Sequence, residues 1–207
     1  MRSILKSPQI YMAFQKLVGG IQMRSHCLDI LQAHEGERVL DVGCGPAYYL
    51  NDLPRLDYYG FDTDERYIDH AKRRFGERGH FFAEPFDESR ARELGPFDGV
   101  LLMGLLHHLD DQSCHSLLGA IAASLRPGGR VVALDTVIHE GQHRFEHWLA
   151  VHDRGEFVRT PEAFLDLAKP HFESVQGQLP KASLTPSIYW VMTMRKPIAV
   201  SDEPATP

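Results

Sequence analysis

Two glycines one residue apart, Gly43 and Gly45, follow the apolar run Val39-Leu40-Asp41-Val42 in "RVLDVGCGPAYYL" (38–50). Glycines just past a strand-like run let backbone approach a ligand closely, because no Cβ stands in the way. Three readings follow: a nicotinamide or flavin dinucleotide, S-adenosylmethionine, or a tight turn with no ligand. The dinucleotide fingerprint requires a third glycine, so that a helix packs against the strand and its N-terminus holds the pyrophosphate. Tyr48 stands in that place, and Pro46 removes an N–H near the helix start. Both changes weaken a pyrophosphate cradle. S-adenosylmethionine carries no phosphate and needs only backbone near its amino-acid tail and an acid near its ribose. Asp62 ends the next apolar run, "DYYGFD", about twenty residues on, where a carboxylate can accept from both ribose hydroxyls. The competing reading is that Asp62 or Asp64 caps a helix starting near Glu65, and Asp64 is the better cap.

A second group of residues has acid–base potential. His107-His108 follows the apolar run 97–103. An imidazole titrating near neutrality suits removal of a proton from a phenol or hydroxyl; the alternative is a structural role, bonding backbone in the loop. Asp135, at the end of "RVVALD", suits either a substrate hydroxyl or ammonium, or a loop amide. His139, His143 and His147 recur every four residues and share one face of a helix expected over 140–152. Their rings would spread over about 12 Å of helix axis, too far for one tetrahedral ion without a bend at Gly141, so no metal is expected. The segment reads instead as a lid, with His139, Trp148 and Arg154 toward an acceptor, although Trp148 also suits a core anchor.

The elements that must position these residues alternate. Strand candidates are 38–43, 57–62, 80–84, 97–103 and 130–136, with helical candidates near 47–53, 65–75, 87–94 and 112–125. Strand–helix alternation predicts a parallel sheet with helices on both faces. "RPGG" (126–129) stops the fourth helix. Thr160-Pro161 with Glu162 predicts an N-cap and first turn. Runs 172–179 and 188–196, separated by the turn-rich "PKASLTPS", predict an antiparallel hairpin. The expected organisation is a helical cap over 1–35 that forms part of the substrate lid, a domain over 36–198 with a lid insertion around 137–160, and a tail over 199–207. In the cap, Ile10, Phe14, Leu17, Val18 and Ile21 have helical spacing. Tyr11, Phe14 and Gln15 are candidate acceptor contacts, giving an aromatic-walled pocket.

Composition bounds the rest. With 207 residues, 43% hydrophobic and 24% charged, one globular domain is expected. A net charge of −6 disfavours a broad nucleic-acid surface, which needs clustered Lys and Arg. The three cysteines, Cys27, Cys44 and Cys114, are scattered, with neither zinc spacing nor a disulfide framework, and fit a reducing cytoplasm. No apolar run approaches the ~20 residues of a bilayer span.

At this point the sequence resembles the class I S-adenosylmethionine-dependent methyltransferases, and most closely the small-molecule enzymes of quinone and natural-product pathways. Five motifs stand in order over about residues 36–196: "VLDVGCG", "YYGFDTDERYIDHAKRRF", "FFAEPF", "FDGVLLMGLLHHLDD" and "LRPGGRVVALD". The resemblance implies a Rossmann-like, doubly wound α/β fold, its seven-stranded, mostly parallel sheet ending in an antiparallel last strand. It implies that Asp41, Gly43 and Gly45 shape the pocket for the methionine part of S-adenosylmethionine. Asp62, with Thr63 beside it, would hold the ribose, and Glu84 would accept from the adenine amino group. The family often uses the next backbone N–H for an adenine ring nitrogen; Pro85 has none, which shifts that task to Phe86 or a water. Met103 and Gly104 would line the methyl-donor site with backbone.

The expected function is methyl transfer to a small molecule, on oxygen of an aromatic or hydrophobic acceptor, by a monomer or homodimer. Two alternatives keep the cofactor: non-methyl-transfer chemistry such as cyclisation, or a non-catalytic cofactor-binding partner. A DNA amino-methylating enzyme is disfavoured by "MGLL" after the fourth strand, and an NAD oxidoreductase by Tyr48.

Overall fold

A computed structural model describes residues 20–151, 155–180 and 188–198. Seven strands form one sheet in the order β3-β2-β1-β4-β5-β7-β6. They are β1 (Arg38–Val42), β2 (Asp57–Phe61), β3 (Gly79–Phe82), β4 (Phe97–Met103), β5 (Leu125–Thr136), β6 (Phe172–Gln178) and β7 (Tyr189–Pro197). The first five pair in parallel, and β7 runs antiparallel to both β5 and β6. The terminal hairpin therefore inserts its second strand between β5 and its first. The chain fills one side of β1 with β2 and β3, then crosses to the other side with β4. That reversal opens a crevice beyond the carboxyl ends of β1 and β4, the usual ligand position in such sheets.

Side chains alternate across the strands and make two cores. Leu40, Val42, Val100, Leu102, Val131 and Ala133 face α3 (Glu88–Leu94), α4 (Asp111–Ser124) and α6 (Pro161–Ala168). Val39, Leu101, Met103, Val132 and Leu134 face α1 (Gly20–Leu31) and α2 (Glu65–Phe75), where Cys27, Leu31, Ile68 and Ala71 are buried. Polar caps start the helices as their sequences dictate. Asp64 accepts from the Arg66 amide at 3.0 Å, Asp87 from Arg90 at 2.9 Å, Asp110 from Ser113 at 2.7 Å and Thr160 from Ala163 at 3.3 Å. α1 ends at Gln32, which adopts the left-handed conformation (φ 49°) usually left to glycine. Buried Arg130 of β5 holds that end, donating to the Leu31 and Gln32 carbonyls and pairing with Glu37.

Two expectations change. The helix expected over 47–53 is a single 3-10 turn, Tyr48–Asn51. Pro54 disfavours helical backbone at Leu53 and leaves no room for further turns. The helix expected over 140–152 begins only at Arg144, as α5 (Arg144–Val151), because Gly141 (φ 80°) turns the chain before it. His139, His143 and His147 therefore do not share one helical face. Residues 1–19, which hold Tyr11, Phe14 and Gln15, and residues 152–154, which hold Arg154, lie outside the described residues. No helix among the described residues is long and apolar enough to cross a membrane.

Candidate cofactor and acceptor cleft

A cleft of about 1190 Å³ opens beyond the ends of β1–β4. Ordinary ligand sites occupy roughly 300–1,000 Å³, so it has room for a cofactor and an acceptor together. Gly43, Gly45, Asp62, Thr63, Glu84, Pro85, Phe86, Met103 and Gly104, the nine residues other than Asp41 expected around the cofactor, all line it.

The loop after β1 curls through three left-handed positions, Gly43 (φ 75°), Gly45 (φ 53°) and Ala47 (φ 54°). A Cβ on Gly43 would sit 3.2 Å from the Leu105 side chain, so glycine is needed there for space as well as conformation. Asp62 ties the loop to β2: one carboxylate oxygen accepts from the Gly45 amide at 2.9 Å and the other from the Asp64 amide at 2.8 Å. Each oxygen keeps a lone pair for a further donor from the cleft. Burial raises the Asp62 carboxyl above its ordinary range, against the lowering effect of those amides. Asp62 is thus not the helix cap; Asp64 is. A four-residue 3-10 turn follows the loop, in the place where a pyrophosphate cradle would need an α-helix N-terminus.

Asp41 lies beneath the loop rather than in the cleft wall. It is completely buried and accepts from the Tyr58 hydroxyl at 2.6 Å. Its other oxygen has no hydrogen-bond partner among the described residues. Burial pushes its carboxyl up to about 7, even with Tyr58 working in the opposite direction.

Glu84 stands at the cleft with one oxygen held by Arg90 at 2.6 Å, and Arg90 also pairs with Glu93. Arg24 on α1 was not anticipated. It reaches the cleft over the Tyr49 ring, 5.2 Å from its centroid, and is the sole Lys or Arg among the described lining residues. Its helix mixes apolar and polar residues, and a single charge among them gives no local signal of which way it faces. Tyr48, Tyr49 and Tyr67 also line the cleft, as does the hydrogen-bonded pair His115–His171 (3.1 Å) at its α4 end. Burial, then His115, lowers the His171 pKa.

The acid–base candidates separate. His108 lines the cleft and is exposed. His107 is buried on a short turn, Leu106–His108, with its ring centroid 4.2 Å from that of His108 and the two planes tilted by 37°. Asp135, also buried, accepts with one oxygen both from the His107 amide (3.1 Å) and from the ring Nδ1 (2.8 Å). A carboxylate takes the hydrogen of Nδ1, which leaves Nε2 as the basic nitrogen. The ring Cε1 lies 3.6 Å from where a Gly104 Cβ would stand, and Gly104 lines the cleft. Asp135 therefore does bond a loop amide, and in the same grip orients an imidazole.

The lid residues lie elsewhere. His139 Nδ1 faces the Glu140 carbonyl at 2.9 Å, and His139 does not line the cleft. Trp148 is 40% exposed and stacked on Phe145, so it is not a core anchor. Cys27 and Cys114 are driven up to about 12 and about 11 by burial, and burial raises Cys44 further, so all three are inert thiols.

Known proteins share sequence and fold with this chain. A family model described as a methyltransferase domain matches residues 21–167. The chain is 33% identical over 116 residues to a tRNA U34 carboxymethyltransferase of Idiomarina loihiensis, covering 51% of this chain and 34% of that one. It is 33% identical over 102 residues to a ubiquinone biosynthesis O-methyltransferase of Bordetella avium, covering 47% and 42%. The chain thus spans well under half of either relative. Its fold matches a TehB-like SAM-dependent methyltransferase from Corynebacterium glutamicum (TM-score 0.64, 20% identity, 91% of this chain and 96% of that chain). It also matches human N-acetylserotonin methyltransferase in complex with SAM (TM-score 0.65, 23% identity, 91% and 55%). The family match runs from α1 to α6 and contains the glycine loop, Asp62, Glu84 and the His107–Asp135 pair, so the chain belongs to the S-adenosylmethionine-dependent methyltransferase family.

Proposed function

We propose that the protein methylates a hydroxyl of a small aromatic or hydrophobic acceptor, with His107 as the general base and Asp135 as the residue that orients it. The observation that carries this is the pair of hydrogen bonds from the His107 amide and Nδ1 to Asp135, made by a buried ring that packs beside the cleft-lining Gly104. A base oriented in this way is useful where the acceptor must lose a proton, as a hydroxyl does.

The residues present fit S-adenosylmethionine. The glycine loop offers backbone where a Cβ would crowd Leu105, and Asp62 offers an acceptor on each oxygen. Arg24 suits the cofactor carboxylate, Asp62 the ribose hydroxyls and Glu84 the adenine amino group. The buried Asp41 lies beneath the glycine loop and would support it under the methionine part. When bound, the cofactor supplies a methyl group already activated on sulfur, which leaves as the neutral thioether S-adenosylhomocysteine. His107 Nε2 takes the proton of the acceptor hydroxyl as the new O–C bond forms, and Asp135 stabilises the resulting imidazolium. Met103, Tyr49 and Leu105 give this end of the cleft an apolar and aromatic wall, which supports an acceptor of that kind. The net charge of −6 disfavours a nucleic-acid acceptor.

The test is calorimetry with S-adenosylmethionine, S-adenosylhomocysteine and NAD, followed by a screen of phenolic and aliphatic hydroxyl acceptors that reads S-adenosylhomocysteine release. Binding of the two adenosyl ligands, not NAD, is expected, with turnover that His107→Gln abolishes. Failure of both adenosyl ligands to bind removes the cofactor assignment. Product formed without S-adenosylhomocysteine would point to cyclisation-type chemistry.

A further inference from the structure

The turn that carries His107 is braced from the lid side, and we propose that Arg159, together with the backbone at Gly155, positions His107 against Asp135. This rests on the reading of His107 as the base.

Arg159 lies beyond α5, in the segment returning from the lid to α6. Its guanidinium donates to the Leu106 carbonyl at 2.9 Å and to the Leu109 carbonyl at 2.6 Å, one on each side of the histidine turn. Asp111 holds the guanidinium itself, accepting from Nε at 3.0 Å and Nη2 at 2.7 Å. The guanidinium also donates to the Phe157 carbonyl at 3.0 Å. The backbone of the same segment is anchored at two further points. The Phe157 amide donates to the His107 carbonyl at 3.0 Å, and the Ile138 amide, just past β5, donates to the Arg159 carbonyl at 3.2 Å. One segment thus joins the turn that carries His107 to the end of β5 that carries Asp135.

Gly155 makes the brace tight. A Cβ there would stand 2.1 Å from His107 Cδ2 and 2.6 Å from the His107 carbonyl oxygen. Only glycine lets this backbone lie on the imidazole. A side chain there would meet the ring edge opposite Nδ1, the edge away from Asp135. A planar guanidinium with several fixed donors serves two carbonyls and a carboxylate together; an ammonium cannot match that fork.

The experiment uses the full chain labelled with ¹⁵N in its histidine rings, with the His107 signal assigned by its loss in His107→Gln. In the unaltered protein His107 is expected as the Nδ1–H tautomer. Arg159→Met and Gly155→Ala should mix the tautomers and move the ring's titration. Arg159→Lys should lie between. With an acceptor found by the screen, Arg159→Met should lower kcat at least tenfold and displace the acidic limb of the pH–rate profile. S-adenosylhomocysteine affinity should stay within twofold. If Arg159→Met does not fold, Asp111→Asn, at an exposed side chain, replaces it with the same expectation. A folded variant with an unchanged His107 ring and pH profile overturns the brace. Turnover surviving in His107→Gln overturns the base reading instead, and the ring signals tell the two failures apart.

Discussion

Each of the two loops that meet in the cleft stands on a buried aspartate, and the two aspartates are used differently. Under the glycine loop, Asp41 accepts from Tyr58 with one oxygen, while the other has no partner among the described residues. Under the histidine turn, one oxygen of Asp135 accepts from two groups of the same residue, the His107 amide and ring. The first carboxylate supports a surface made of backbone, where Gly43 and Gly45 line the cleft. The second fixes the orientation of a side chain. A pocket for an invariant cofactor can be shaped by backbone conformation alone. A base must hold one nitrogen toward the acceptor, and that needs a dedicated partner.

Substituting each aspartate should separate the two roles. The largest effect is expected at Asp135: Asp135→Asn should lower kcat by about 100-fold or more, the range of a lost oriented base, while S-adenosylhomocysteine binds as before. Steady-state kinetics beside calorimetry would check this; equal losses in turnover and in cofactor affinity would mean that the two loops are not separable.

Asp41 should act on stability instead. Its carboxyl is raised to about 7 in the folded chain, against an ordinary value of 3.8. Between those values the native state holds a proton that the unfolded chain has released, so this group's contribution falls as pH rises through that window and stays at its lowest above it. Asp41→Asn removes that slope. Its melting temperature relative to the parent should therefore be higher at pH 8 than at pH 4, an effect on the order of a few kcal/mol. A difference independent of pH would refute the buried-acid account.

At the rim of the glycine loop, Asp62→Ala should weaken S-adenosylhomocysteine by about 1–3 kcal/mol, the scale of a lost hydrogen bond to a charged group. Isothermal titration gives the number, and unchanged affinity would remove Asp62 from the ribose. The smallest change is expected far from both loops. Thr160→Ala, which removes the cap of α6, should cost about 1 kcal/mol in chemical denaturation without altering the cofactor constant.

What could be read from sequence follows the same division. The strands were legible because their apolar runs are local, and the helix over 65–75 appears with those limits because Asp64 marks its start. That Gly43, Gly45 and Asp62 come together at one cleft was legible, because a backbone-lined pocket leaves a signature within some twenty residues. The Asp135–His107 bond joins residues 28 apart in the chain through a strand pairing, and no local pattern separates it from a loop contact. Arg159 was invisible for the same reason, since it lies 53 residues from the Leu106 carbonyl it caps. The three lid histidines misled because a spacing of four is a helix signal only where a helix continues, and Gly141 interrupts it.

Arg130 has a consequence beyond ending a helix. It sits on β5 toward the end of the strands away from the cleft, yet it clasps the last turn of α1, the same rod that carries Arg24 to the cleft. A 12-residue α-helix is a stiff lever about 18 Å long, so a shift at one end is transmitted to the other. The tilt of that lever, and with it the placement of the cleft's arginine, is set by a residue that never touches a ligand. A substitution at the foot of the sheet can thereby register as a change in cofactor affinity.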